Sequence, residues 1–206
     1  MEAVNFTNVG YLIDNIDPNV LVEIKQELEK IKSNFSEATT FKENLVGNIK
    51  QEYLINDSKS SIEYMMVSFA RKHEEKFKYF ESKFIPISQR ELRMGPAWVN
   101  FQKKHEYNPM HKHSGLFSFV LWIEIPYNME EEFKSSPLGR PEGNKSGIFE
   151  FLYNNALGEL RGSPVYADKS YEGKMVIFPA QLNHIVYPFC SSDDYRISIA
   201  GNLFLR

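Results

Sequence analysis

Apolar and polar positions divide the chain into a helical first part and a strand-rich remainder. Over residues 17–33 apolar side chains recur at helical spacing, and Asp17-Pro18 supplies a capping residue followed by a proline suited to the first helical turn. A second apolar stripe predicts a longer helix over residues 58–84. Residues 34–56 are mixed and polar, which predicts a loop with one short strand near residues 51–55.

After Pro86 the spacing of apolar residues changes to the alternation that is typical of strands. Gly, Pro, Asn and Asp separate the apolar runs, as expected for strands joined by turns. The runs are residues 91–104, 116–125, 147–153, 164–167, 174–178, 184–187 and 196–204. Many short strands favour a mainly β fold of the jelly-roll type with the N-terminal helices covering one sheet. We therefore predict a single domain, residues 1–206, with a helical N-terminal cover (1–86) and a β core (87–206).

The polar segment from residue 128 to residue 144 interrupts this series of strands. It holds three consecutive glutamates, followed by proline and glycine, which is a composition typical of loops. We predict a mobile loop here, and its position among the strands makes it a candidate lid over a site at one end of the β core.

Composition and charge narrow the class of protein. The 206 residues are enough for one domain with a full core, and the 14% aromatic content favours a β-rich core. A formal net charge of −3 gives no reason to expect a nucleic acid or a membrane as partner. The single Cys190 cannot form an intramolecular disulfide, and the first eight residues lack the pattern of a leader, so we expect a cytoplasmic protein.

Two histidines, His111 and His113, are the first candidates for chemistry. They precede an apolar strand, and in extended chain residues at this spacing point to the same face. Neutral imidazole is a good ligand for iron, zinc, copper and nickel. A third histidine, His184, opens a later strand and is the best candidate to complete a metal site. Spacing alone leaves open the alternative that these are surface or packing histidines.

Arg196 and Ser198 form a second candidate group, because residues at this spacing in a strand share a face. A guanidinium binds a carboxylate through two parallel hydrogen bonds and stays charged. The alternative is a surface ion pair between Arg196 and Asp193-Asp194. The apolar neighbours of Arg196 in the strand make that alternative less attractive.

The order of these features resembles that of the iron(II)- and 2-oxoglutarate-dependent oxygenases, especially small prolyl-hydroxylase-like members from phages and bacteria. The shared features are His-x-His, a strand ending in Phe-Pro, a later His and Arg-x-Ser, over roughly residues 93–203. The resemblance implies a double-stranded β-helix, which is a jelly roll, with a metal at its open end. It implies a dioxygenase that uses iron(II), 2-oxoglutarate and dioxygen to hydroxylate an amino-acid side chain or a small molecule.

The same resemblance implies roles for individual residues. His111 and His184 would be iron ligands, and Arg196, helped by Ser198, would hold the distal carboxylate of 2-oxoglutarate. Two asparagines on predicted inner strands either add hydrogen bonds to cosubstrate or substrate, or satisfy buried backbone groups: Asn100 and Asn202.

His113 stands where this family usually has aspartate or glutamate, and three interpretations follow. The site has three histidines, which is the interpretation we favour; or a carboxylate such as Glu150 or Glu124 completes it; or His113 does not bind the metal and the protein is no oxygenase. Two alternatives come from other classes: a cupin-like metalloprotein with different chemistry, and a metal-free structural or binding jelly roll. Peptide and small-molecule substrates both stay open.

Overall fold

The structure is a computed structural model that describes residues 8–140 and 142–206. Residues 1–7 and Pro141 lie outside the described part. The prediction that the chain lacks a leader rests mainly on residues 1–7, and Pro141 belongs to the predicted loop at residues 128–144. The strands in chain order are β1 (Leu12–Asn15), β2 (Gln51–Ile55), β3 (Leu92–Gln102), β4 (Asn108–His111), β5 (Phe117–Glu124), β6 (Phe149–Asn154), β7 (Leu160–Val165), β8 (Lys174–Pro179), β9 (Asn183–Val186) and β10 (Arg196–Leu205).

These strands form two antiparallel sheets. The larger has the order β1-β8-β5-β10-β3-β2, and the smaller has the order β4-β9-β6-β7. The helices are α1 (Pro18–Ser33), α2 (Lys59–Phe77), α3 (Tyr79–Ser82) and α4 (Met129–Ser135). In the part of the chain that the structure describes, none of these helices combines the length and the hydropathy needed to cross a membrane.

The larger sheet is buried on both faces, and the alternation of side chains decides which residue meets which layer. In β10 the apolar residues Ile197 and Ile199 belong to the core that includes α1 and α2. Arg196, Ser198 and Ala200 face the opposite way and line a cavity between the two sheets. A shift of one residue in the pairing of β10 would exchange these two sets, so the register fixes the polar residues on the cavity face.

Aromatic side chains fill the space between the two sheets, in agreement with the β-rich core predicted from composition. The ring centroids of Phe149 and Phe151 in β6 lie 4.9 Å apart, and Phe151 lies 4.9 Å from Phe178 of β8. These distances are typical of favourable edge-to-face ring contacts. The aromatic cluster therefore joins the smaller sheet to the larger one.

The N-terminal segment confirms the first predicted helix and the short strand near residues 51–55. The side chain of Asp17 caps α1 by accepting hydrogen bonds from the backbone N–H groups of Asn19 and Val20, at 2.8 and 3.4 Å. The segment is more than a helical cover, however. It also supplies β1 and β2, which form the two edges of the larger sheet.

The second predicted helix is broken. Lys78 adopts the left-handed conformation, with φ 53° and ψ 40°, and separates α2 from α3. The turn places Phe80 in the core with no exposed surface, and the carboxylate of Glu74 accepts a hydrogen bond from the N–H of Phe80 at 2.7 Å. Phe84, predicted to lie on the apolar stripe, is 94% exposed because the chain has turned away before it.

The predicted loop at residues 128–144 contains helix α4 instead of being entirely irregular. Glu132 of α4 is buried and accepts hydrogen bonds from the N–H groups of Cys190 and Ser191, at 2.7 and 2.9 Å. These bonds fix α4 to the chain that precedes β10. Among the described residues, the cavity lining takes none from 128–144, so the lid gains no support.

Candidate active site

The three predicted histidines meet at one end of the smaller sheet. His111 in β4 pairs directly with His184 in β9, and His113 follows two residues beyond the end of β4. The potential ligand nitrogens of the three residues lie within 4.8 Å of one another. The ring centroids of His111 and His184 are 4.2 Å apart, and those of His113 and His184 are 5.1 Å apart. The fold therefore assembles a group that can hold a metal ion.

Backbone carbonyls orient two of the three rings. Nδ1 of His111 lies 2.7 Å from the carbonyl oxygen of Pro109, and Nδ1 of His184 lies 2.9 Å from that of Leu182. A carbonyl only accepts, so Nδ1 carries the proton and donates, which leaves Nε2 with a free lone pair. Such outer hydrogen bonds are typical of metal-binding histidines. The ring of His113 makes no such bond among the described residues and packs beside Trp98 at 6.0 Å.

Burial keeps these imidazoles neutral. It lowers the pKa of His113 to about 4 and the pKa of His184 to about 3, and the nearby His111 adds to both shifts. Burial also lowers the pKa of His111. A metal binds the neutral form of histidine, so the three rings are in the ligating state at neutral pH. A set of three neutral nitrogen donors suits iron(II).

A cavity of about 280 Å³ extends from the histidines between the two sheets. Its walls combine aromatic side chains, such as Trp98, Trp122 and Phe178, with several polar groups. Two cations, Lys112 and Arg196, lie in the lining, and the described lining residues include no aspartate or glutamate. The cavity therefore suits a ligand that carries negative charge.

Arg196 is almost completely buried, with 4% of its surface exposed. All five of its N–H groups are used, and every acceptor is neutral. Nε and Nη2 donate to Oε1 of Gln102, Nη1 donates to the Tyr127 hydroxyl and the Gly147 carbonyl, and Nη2 also donates to the Tyr187 carbonyl. The alternative ion pair with Asp193-Asp194 does not form, since Asp193 pairs with Lys104. The cation is thus buried without a carboxylate partner among the described residues.

The other predicted cosubstrate residues divide into two groups. Ser198 and Asn100 are direct partners on β10 and β3, both line the cavity, and Nδ2 of Asn100 lies 3.4 Å from Oγ of Ser198. Asn202 is outside the cavity lining, and its Oδ1 accepts a hydrogen bond from Ser118 at 2.7 Å. Asn202 is the direct partner of Ser118 in the pairing of β10 with β5, so its side chain bonds along the sheet beyond the end of the cavity lining.

The two carboxylates considered as third metal ligands are held elsewhere. Glu150 accepts a hydrogen bond from the hydroxyl of Tyr187 at 3.0 Å and pairs with Lys145. Glu124 pairs with Lys32 at 2.7 Å. Neither belongs to the histidine group, so the interpretation in which one of them completes the site gains no support.

Sequence reasoning missed Gln102 and Tyr127, which hold the guanidinium of Arg196. Gln102 is the direct partner of Arg196 in the pairing of β10 with β3. That relation appears only when the register is known. Tyr127 lies two residues after Ile125, beyond the end of β5, and no pattern in the sequence marks its hydroxyl as a partner of Arg196.

A family model of the 2OG-Fe(II) oxygenases matches residues 96–202, which is just over half of the chain and includes every histidine and arginine described above. The chain belongs to the 2OG-Fe(II) oxygenase family. As a 2OG-Fe(II) oxygenase it is an enzyme, and its cofactors are iron(II), 2-oxoglutarate and dioxygen. No curated protein matches the chain.

Solved structures share the fold of this 2OG-Fe(II) oxygenase at low sequence identity. A prolyl-4-hydroxylase from Pseudomonas putida is 12% identical, with a TM-score of 0.58 over 96% of this chain and 93% of that one. A viral collagen prolyl hydroxylase from Paramecium Bursaria Chlorella virus-1, in complex with 2OG, is 12% identical with a TM-score of 0.51 over 94% of both chains. An oxidoreductase of the 2OG-Fe(II) oxygenase family from Burkholderia pseudomallei is 11% identical, with a TM-score of 0.51 over 95% of this chain and 84% of that one. The predicted double-stranded β-helix is confirmed.

Proposed function

We propose that this 2OG-Fe(II) oxygenase binds iron through His111, His113 and His184 and hydroxylates an amino-acid side chain or a small molecule. The observation that carries the proposal is the convergence of three neutral imidazoles at the end of a cavity that holds a buried guanidinium. When bound, iron(II) with 2-oxoglutarate and dioxygen supplies the oxidation, in which 2-oxoglutarate becomes succinate and carbon dioxide and the substrate gains a hydroxyl group. The chain supplies ligand geometry and a site shielded from water.

Arg196 is the proposed partner of the distal carboxylate of 2-oxoglutarate. Its five N–H groups are already occupied, so an entering carboxylate replaces one or more neutral acceptors. That exchange is favourable, because a hydrogen bond between two charged groups is stronger than one to a neutral oxygen. Ser198 and Asn100 lie in the next row of the same sheet face and are placed to bind a second part of the ligand.

A site with three histidines differs electrostatically from one with two histidines and a carboxylate. All three protein ligands are neutral, so the chain leaves both positive charges of iron(II) uncompensated. We expect this centre to hold the anionic cosubstrate firmly and to have a higher reduction potential than a centre with a carboxylate ligand.

The substrate class is proposed from the cavity and from related folds. Two of the solved structures are named as prolyl hydroxylases, one of them acting on collagen. The aromatic walls of the cavity, which include Trp98 and Trp122, suit an apolar part of a peptide side chain or of a small molecule. The single free cysteine is consistent with a location in the cytoplasm, which we retain as part of the proposal.

The proposal is tested by measuring iron content and 2-oxoglutarate turnover in matched histidine variants. We expect His184→Ala to lose bound iron and to form no succinate, while its far-UV circular dichroism stays that of the wild type. His105→Asn is the control, because His105 is exposed, lies outside the cluster and has a φ of 68° that asparagine tolerates. Wild-type iron content in folded His184→Ala would overturn the ligand assignment.

A further inference from the structure

A buried acid next to the cavity has no role in the function proposed above. Glu52 of β2 has a side chain with 0% exposure, and neither of its carboxylate oxygens has a hydrogen-bond partner. The amine of Lys42 lies 3.4 Å from Oε2 but donates its hydrogen bond to the Gly47 carbonyl at 3.1 Å. A buried carboxylate whose two oxygens accept no hydrogen bond is costly, so its presence calls for an explanation.

The register of the larger sheet places Glu52 beside a residue of the cavity. Glu52 and Asn100 are direct partners in the pairing of β2 with β3, so their side chains share a face and their Cβ atoms are about 5 Å apart. Asn100 lines the cavity. Its Oδ1 is also buried without a partner, while its Nδ2 faces the carbonyl and the hydroxyl of Ser198, both at 3.4 Å. Two unsatisfied acceptors therefore lie side by side.

A single proton satisfies both groups. We propose that Glu52 is a positioning residue of the cosubstrate cavity, which in its neutral form donates a hydrogen bond to Oδ1 of Asn100. This bond holds the amide with Nδ2 turned towards Ser198 and the cavity. The cavity then presents an N–H donor at this point, which recognises a carboxylate or carbonyl oxygen of the bound ligand. The inference rests on the proposal that 2-oxoglutarate binds in this cavity.

The surroundings of Glu52 favour the neutral acid. The pKa of Glu52 is raised to about 7, chiefly by burial; the positive charge of Lys42 opposes this shift, and the negative charge of Glu106 adds a smaller part of it. These two residues are the charged groups that face it, Lys42 from the turn before β2 and Glu106 from the loop after β3. A neutral acid also avoids repulsion between Glu52 and the two negative charges of 2-oxoglutarate.

The inference is tested by 2-oxoglutarate binding, measured by calorimetry on protein loaded with manganese(II) as a redox-inactive substitute for iron. Glu52→Leu removes the donor, and we expect the dissociation constant to rise about tenfold, which corresponds to one lost hydrogen bond. Glu52→Gln keeps a neutral donor, and we expect affinity within about threefold of the wild type. We expect the wild type to bind more weakly as pH rises through 7 and Glu52→Gln to show no such change.

A purely structural role for Glu52 predicts a different result. If its only function were to hold Lys42, then Glu52→Gln and Glu52→Leu would have the same affinity and the same pH profile. Leucine removes a buried unsatisfied group, so we expect Glu52→Leu to unfold at a temperature no lower than the wild type despite its weaker binding. Unchanged 2-oxoglutarate affinity in folded Glu52→Leu would overturn the inference.

Two further variants separate this inference from the proposed function. Arg196→Lys tests cosubstrate binding itself, with Arg161→Lys on the exposed strand β7 as its control. If Arg196→Lys binds 2-oxoglutarate like the wild type, the proposed cavity is wrong. If Arg196→Lys is impaired but Glu52→Leu is not, only the role of Glu52 fails. Because Glu52 acts through Asn100, we expect Glu52→Leu to change affinity less than about twofold in an Asn100→Ala background.

Discussion

His113 differs from the two other histidines in how its ring is held. The rings of His111 and His184 are fixed by hydrogen bonds to backbone carbonyls, while the ring of His113 makes no hydrogen bond among the described residues and packs beside Trp98. A ligand that is already oriented loses less freedom when it binds a metal. Under the proposed iron assignment, the contribution of each histidine to iron affinity therefore depends on the hydrogen bond that orients its ring as well as on its ligating nitrogen.

This difference predicts an order of iron affinities. We expect the dissociation constant for iron(II) to rise at least about tenfold more in His184→Ala than in His113→Ala, because an oriented ligand contributes more to binding. The measurement is an anaerobic competition with a chelator of known affinity, on variants shown to be folded. Equal losses in the two variants would show that ring orientation does not rank the ligands.

At the scale of elements, α1 and α2 are joined by one buried side chain. Glu27 of α1 is 5% exposed, and its carboxylate accepts hydrogen bonds from the N–H groups of Asn56, Asp57 and Ser58 and from the Ser58 hydroxyl, at 2.7 to 3.0 Å. These donors belong to the turn that leads into α2, and Ser58 is the residue that precedes its first turn. A residue of one helix thus anchors the entry to the next.

This anchor predicts a large effect of Glu27 on stability. We expect Glu27→Ala to lower the free energy of unfolding by about 2 to 4 kcal/mol, because several buried donors lose their acceptor. Urea denaturation followed by circular dichroism measures the change. Glu23→Ala, at an exposed position of the same helix, is the control and should change stability by less than about 0.5 kcal/mol. Similar losses in both variants would contradict the anchoring role of Glu27.

The break between α2 and α3 predicts a stabilising substitution. Lys78 has a positive φ of 53°, which glycine adopts at no steric cost, so we expect Lys78→Gly to raise the free energy of unfolding by about 1 kcal/mol. Ser68→Gly in the middle of α2 should instead lower it by about 0.5 kcal/mol. Thermal and urea unfolding measure whether each substitution raises or lowers the free energy of unfolding. A loss of stability in Lys78→Gly would show that Lys78 makes contacts that outweigh backbone strain.

The elements were predictable where local pattern and final environment agree. In β10 and α1, apolar residues recur at the spacing of the element because one face of each is buried in the core. The same burial that shapes the sequence pattern also stabilises the element, so the pattern predicts it. The break at Lys78 was not predictable, because no glycine or proline marks it and the turn is set by the burial of Phe80. Helix α4 was missed for a related reason, since the buried partners of Glu132 lie far along the chain.

The candidate site was partly predictable for the same reason. His111 with His113, and Arg196 with Ser198, are each two residues apart in the chain, so their shared face could be predicted from the sequence. Gln102 and Glu52 could not be found in this way, because their relation to Arg196 and Asn100 is one of strand register. Asn202 was a candidate because it lies on a predicted inner strand, but the sequence does not show that it lies beyond the cavity lining, where its side chain bonds to Ser118.

At the scale of the whole molecule, the cavity is built by both sheets, so a ligand bound there connects them. We expect manganese(II) with 2-oxoglutarate to raise the free energy of unfolding by about 2.7 kcal/mol at ligand concentrations 100 times the dissociation constant. A thermal unfolding scan with and without ligands measures this shift. Removal of the metal with a chelator should abolish it, and so should His184→Ala. A shift of equal size in His184→Ala would place the binding elsewhere.

The pairing of β4 with β9 has a mechanical consequence. β4 is the edge strand of the smaller sheet, and its described pairs with β9 are Asn108 with Val186 and His111 with His184, with an irregularity between them. Under the proposed iron assignment, a metal bound by His111 and His184 also cross-links β4 to β9. We then expect loss of iron to loosen β4, which would leave unpaired backbone groups of β9 free to pair with another strand.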